Sequence, residues 1–154
     1  MLFPYAVPDL RPPLGVGALV WRYTILIPIS EVRSGGQAQA VATSDDIETL
    51  SGLVCDHFGG VTVLHPVSGY GLRDPADITS LELNQHLPLV VYARPVAASD
   101  RYFEKLQQEL QEALVQGLIV VEREEVFLIG TSRPAPAPRQ LPGKDKPSLP
   151  APNP

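Results

Sequence analysis

From Trp21 the chain alternates. Trp21, Tyr23, Ile25, Ile27 and Ile29 fall on one side, while Arg22, Thr24 and Pro28 fall on the other with Leu26 among them. A period of two predicts a strand with one buried face. The period then lengthens: Ile47, Leu50, Val54 and Phe58 recur at spacings of three and four, with Leu53 widening the stripe, which predicts an amphipathic helix. Thr43 or Ser44 can cap that helix, and Asp45, Asp46 and Glu48 suit its positive end. Gly59 and Gly60 stop it, because glycine accepts the left-handed C-cap conformation.

Val61 to Val67 predicts a second strand and "LPLVVYAR", Leu87 to Arg94, a third. The stretch between them, Ser68 to His86, reads as a long connection, and long connections in compact domains often carry function. Ser99 is read as the cap of a second helix, with Phe103, Leu106, Leu110, Ala113 and Leu114 as its buried stripe and Gly117 as its stop. "LIVV" then passes through Glu122–Glu125 into "VFLI", a last strand that is either long and bulged or broken in two.

The order strand, helix, strand, strand, helix, strand predicts an α+β chain with a ferredoxin-like two-layer sandwich (βαββαβ): a four-stranded, mostly antiparallel sheet with two helices on one face. The third strand is apolar on both sides and the first places Leu26 beside Thr24 on its second side, so a dimer or trimer packing sheet on sheet or edge on edge is expected.

Proline and charge add the boundaries. Residues 1–20 carry Pro4, Pro8, Pro12 and Pro13 among apolar residues, which predicts an extended N-terminal arm packed on the body or on a neighbouring subunit. Eight of the 17 prolines lie in 131–154, which reads as a disordered Pro-rich tail after a folded domain at 21–130. That tail has a net charge of +3, leaving −8 on the rest of a chain whose total is −5. An acidic body lacks the Lys and Arg stripe that phosphate backbones need, which argues against nucleic acid as a partner. No apolar run is long enough to span a bilayer and no secretory signal is visible, so a cytoplasmic location is expected.

Candidate chemistry is sparse. The single cysteine, Cys55, lies at the edge of the first helix's stripe, where a thiol packs well, and it has no basic neighbour in a nucleophile motif. His57, His65 and His86 do not share a ligand spacing, so neither a metal site nor a catalytic set is assigned. His65 stands out because it lies in the strand-like stretch "GGVTVLHPVSGYG", and Arg73 opens the long connection after it. Both are candidate ligand-binding residues.

"GVTVLHPVSGYG", Gly60 to Gly71, resembles the strand of PII-like signalling proteins that exits through a Gly-aromatic-Gly into a mobile loop. The match covers about a dozen residues, and the "FGG-x-T" at its start is similar to small uncharacterised bacterial ferredoxin-like proteins. The resemblance implies a trimer binding an adenine nucleotide or related effector in an intersubunit cleft, with Thr62, Gly69, Tyr70 and Gly71 at the cleft and the following loop contacting a protein partner. The sequence thus predicts a small oligomeric binding or regulatory protein, an effector sensor or accessory subunit that works through residues 68–86, more than it predicts an enzyme. The competing expectations are a dimeric enzyme with His65, Tyr92 or His86 as acid or base in a pocket between sheet and helices, and an interaction protein recognised through its Pro-rich tail.

Overall fold

Two long strands organise the chain. In order, the elements of this computed structural model are β1 (Ala18–Val32), β2 (Ala38–Ala40), α1 (Ser44–Phe58), β3 (Thr62–Val63), β4 (Val67–Leu72), β5 (Leu81–Ala93), α2 (Ala97–Ala113) and β6 (Val120–Leu128). The structure describes residues 9–13, 17–32, 36–72, 76–77, 79, 81–116 and 119–129. The expected tail at 131–154 lies outside them.

β1 and β5 pair antiparallel from Trp21↔Ala93 to Val32↔Leu83, with one register shift between Pro28 and Ser30. The outer side of β1 is shared end to end by β6 (Ala18↔Leu128 to Leu26↔Val120) and β2 (Ser30↔Ala40 to Val32↔Ala38). The outer side of β5 is shared in the same way by β3 (Thr62↔Val90) and β4 (Val67↔His86 to Leu72↔Leu81).

This corrects the flat, four-stranded ferredoxin-like sandwich expected from the sequence: six strands among the described residues form one curled antiparallel sheet, a half-barrel, with two helices. The reason is length. β1 has 15 residues, about 50 Å of strand, whereas α1 and α2 with 15 and 17 residues reach only about 22 and 26 Å. The sheet therefore outruns its helices, and twist accumulated along the long pair, sharpened by the bulge at Ile29, curls it.

The connection expected at 68–86 is also revised. β4 and the first half of β5 form a hairpin there, so Ser68–Leu72 and Leu81–His86 are paired strand. The second strand expected at 61–67 is two short ones, broken around Pro66, and the last strand is a single unbulged one.

Alternate residues of β1 and β5 fill one face. Tyr23, Ile25, Ile27, Leu89, Val91 and Ala93 are buried against Leu50, Val54 and Phe58 of α1 and Tyr102, Phe103, Leu106 and Leu110 of α2, so both helices cover the same side. Tyr23 stacks on Phe103 at 3.9 Å between ring centroids and Phe103 on Phe58 at 5.0 Å. Phe103 is thereby the aromatic link between β1 and the two helices. Cys55 is half-buried beside this core.

The helix ends are chemically distinct. Thr43 caps α1 in a reciprocal box, with the Asp46 amide donating to Thr43 Oγ1 at 3.2 Å and the Thr43 amide donating to Asp46 Oδ2 at 2.8 Å. Those bonds hold the Asp46 carboxyl below its usual range. Gly59 closes the helix at φ 83°. Ser99 does not cap α2: Val96 holds that position with no side-chain bond, and the buried Ser99 Oγ donates to the Arg94 carbonyl at 2.7 Å. Neither helix is long and apolar enough to cross a membrane.

Asp100 joins three elements. It accepts from Tyr23 Oη at 2.7 Å and from Arg123 at 2.7 Å, tying α2 to β1 and β6, while the Arg123 guanidinium lies 4.1 Å from the centre of the Trp21 ring. Burial, then the bond to Asp100, raises the Tyr23 phenol well above its ordinary value. In urea titrations, Phe103→Ala should lose about 3–5 kcal/mol of stability through the cavity it leaves. Asp100→Ala should lose about 1–3 kcal/mol by orphaning the Tyr23 hydroxyl. A Phe103→Ala loss below that of Asp100→Ala would contradict this view of the core.

Candidate functional site

A cleft of about 380 Å³ opens where α1 hands over to β3, lined by Arg11, Pro12, Phe58, Gly59, Gly60, Val61, Thr62, Val90 and Tyr92. Its geometry follows from the local sequence. The left-handed Gly59 turns the chain off the helix, and Gly60 carries it to β3, whose first residue, Thr62, pairs with Val90. β5 runs on past Val90 to Ala93 without β3 beside it, so the backbone edge near Tyr92 borders the cleft.

The opposite wall comes from far away in the chain. Leu10 is 2 % exposed, set in the main core, and its carbonyl accepts from the Arg94 amide at 2.9 Å. This anchor straps residues 9–13 across the end of β5 and delivers Arg11 and Pro12 to the cleft. The Arg11 stem packs on Gly59, where an added Cβ would lie 3.6 Å from Arg11 Cγ and Cδ. Asp9 holds the other end of the turn, accepting from the Arg11 amide at 3.0 Å and lying 3.7 Å from its guanidinium.

Arg11 supplies the formal charge in this lining, Thr62 a hydroxyl and Tyr92 a side chain whose hydroxyl bonds the Arg22 guanidinium, while Phe58, Val61, Val90 and Pro12 supply apolar walls. Beyond Tyr92 the same sheet face continues to Arg22 and Glu124, cross-strand neighbours whose side chains form an ion pair. That pair raises the Arg22 guanidinium above its ordinary value.

The residues singled out in the sequence are divided between two places. Thr62 lines the cleft. Gly69, Tyr70 and Gly71 lie in β4, and Tyr70 pairs with Leu83, roughly 23 Å down β5 from Val90 at about 3.3 Å per residue. His65 is exposed in the link between β3 and β4. Arg73 lies outside the described residues.

Arg11 and Phe58 were not singled out as site residues. The prolines among apolar residues in 1–20 signal a packed arm, but nothing local in the sequence marks Leu10 as its anchor. The acid–base pocket expected between sheet and helices is occupied by the core side chains. Tyr92 faces away from that core. His86 does too, cross-strand from Pro28 and Val67.

Two further cavities differ in character. One, about 420 Å³, sits at the start of α1 among Ile29, Ala42, Ile47 and Leu87; the other, about 130 Å³, surrounds the Tyr23–Asp100–Arg123 contacts. The first also takes in Thr43 and Ser44, and the Thr43 hydroxyl is engaged in the α1 cap. The second is framed by side chains already bonded to one another.

No protein-family model, curated protein or solved structure matches this chain. The PII-like resemblance therefore rests on its dozen residues alone.

Burial holds the His86 imidazole below its ordinary value of 6.5. As pH falls through that value the unfolded chain takes up the proton first, so this histidine costs the folded state stability below about pH 6.5 and contributes nothing above it. Urea midpoints measured from neutral pH downward should fall less steeply in His86→Gln than in the wild type. Equal slopes would mean that the imidazole is not desolvated.

Proposed function

We propose that this protein works by binding, as an effector sensor or accessory subunit, with a small organic acid as the ligand and the Arg11–Thr62–Tyr92 cleft as its seat. The observation that carries the reading is the strapping of the arm by buried Leu10, which brings a guanidinium to a largely apolar cleft beside the Thr62 hydroxyl and the Tyr92 side chain. A cleft of this volume with apolar walls and a few convergent polar groups suits a small ligand. A guanidinium and an alcohol hold and orient a ligand at neutral pH more readily than they exchange protons with it.

Charge narrows the ligand class. Asp9, 3.7 Å from the Arg11 guanidinium, and the C-terminal end of α1, with roughly half a negative charge, already offset the arginine, so the cleft suits a single acidic group exchanging for Asp9 better than a polyphosphate. An adenine nucleotide, which the PII-like resemblance would suggest, meets that penalty at its phosphates. A planar or branched apolar carboxylate meets it once, and its apolar part gains from the cleft walls. In this reading the chain acts as a homo-oligomer, and the β4–β5 hairpin, set well away from the cleft, is left for contact between chains.

Titration of the full chain with benzoate, 2-naphthoate, AMP and ATP tests this. We expect a carboxylate to shift the amide resonances of Thr62, Val90 and Tyr92, and Arg11→Ala to weaken its binding about tenfold or more. Thr62→Val should weaken it by a smaller factor. Binding unaffected by both substitutions, or shifts confined to residues outside the cleft, would overturn the proposal, as would a panel that leaves all three amides unmoved.

A further inference from the structure

The two edges of the sheet are built differently. One is closed by β6, where Glu122, Arg123, Glu124 and Glu125 are all exposed, the charge pattern that keeps an edge from adding another strand. The other is closed by β3 and β4, and from Thr62 to Tyr70 it holds no Asp, Glu, Lys or Arg. Along it Val63, Leu64, Val67 and Tyr70 are 48, 45, 46 and 73 % exposed. β4 pairs with β5 alone among the described residues, so its outer row of backbone groups has no strand partner there.

An apolar row leads to this edge. Ala38, Val32, Leu83 and Tyr70 are successive cross-strand neighbours on the helix side of the sheet, and none belongs to the core cluster. They lie on the part of the half-barrel that the helices do not reach. On the other face, Gly69 presents no side chain, and a Cβ built there would meet nothing within 4 Å. The edge is thus neutral, apolar on one side and open on the other.

We propose that β4 pairs antiparallel with β4 of a second copy about a two-fold axis, joining the two curled sheets and bringing the two Tyr70 rows into one apolar strip. Charge selects a second copy as the occupant. A two-fold interface sets a patch against itself, so the patch must be neutral or self-complementary. On a chain of net charge −5 this edge meets that condition, whereas the β6 edge would face its own carboxylates. The proposal rests on the oligomeric part of the reading above and names its surface; it is independent of the ligand.

Sedimentation of the full chain across a dilution series reads the outcome directly. We expect the wild type at twice the 16.7 kDa of one chain. Val67→Lys/Tyr70→Lys should sediment as a monomer with an unchanged circular dichroism spectrum, its dissociation constant raised about 100-fold or more by like charges brought face to face. Val67→Thr/Tyr70→Thr, which keeps strand-compatible side chains, should weaken the dimer about tenfold, and Phe127→Lys on the β6 edge should leave it intact. A dimer that survives both β4 variants overturns this surface but leaves the oligomeric reading standing. A wild-type chain that is monomeric overturns both, even if it takes up an extended peptide from another protein.

Discussion

The long antiparallel pairing of β1 with β5 is the constraint on which the rest of the molecule depends. Once Trp21 stands opposite Ala93 and Ile27 opposite Leu87, every second side chain of both strands is committed to the helix face, and a slip of one residue would expose them all. The helices are short for this task. They cover the stretch from Tyr23 to Ile27, and the strands continue beyond them until twist curls the sheet into a half-barrel.

That excess of strand over helix creates the features most relevant to function. At one end of β5, β3 begins only at Val90, which leaves a cleft that α1, Gly59 and the strapped residues 9–13 enclose. At the other end the β4–β5 hairpin stands clear of the helix layer, apolar toward Tyr70 and uncharged along its edge. Between them, Asp100 ties together β1, α2 and β6, and Phe103 is stacked between aromatic neighbours. A cross-tied middle with two differently equipped ends underlies the proposal of a small ligand at one and another chain at the other.

Legibility in the sequence followed burial. α1 could be read closely because its stripe, its Thr43 cap and its Gly59 stop are local signals that agree. β1 could be read because its alternating residues fill one core. The first half of β5 was not read as strand: Leu81 and Leu83 alternate with Glu82 and Asn84, but outside the helix layer the remaining positions, Gln85 and His86, are polar on both faces and blur the period. β4 contains two glycines in six residues, and its conformation comes from pairing with β5 more than from local preference. Ser99 looked like a cap by residue type, yet its hydroxyl is spent on the Arg94 carbonyl. Thr62 was reached through a family resemblance, while Arg11 could not be paired with it, since only the burial of Leu10 brings the arm to the cleft.

The central claim is that this strapped cleft, and not the hairpin, seats the small ligand. Contacts between bound 2-naphthoate and the protein, read as nuclear Overhauser effects to assigned methyl groups, test it most directly. The account predicts contacts from the ring protons to the methyls of Val61, Thr62 and Val90. Contacts to Val67 and Leu83 in their place would contradict it.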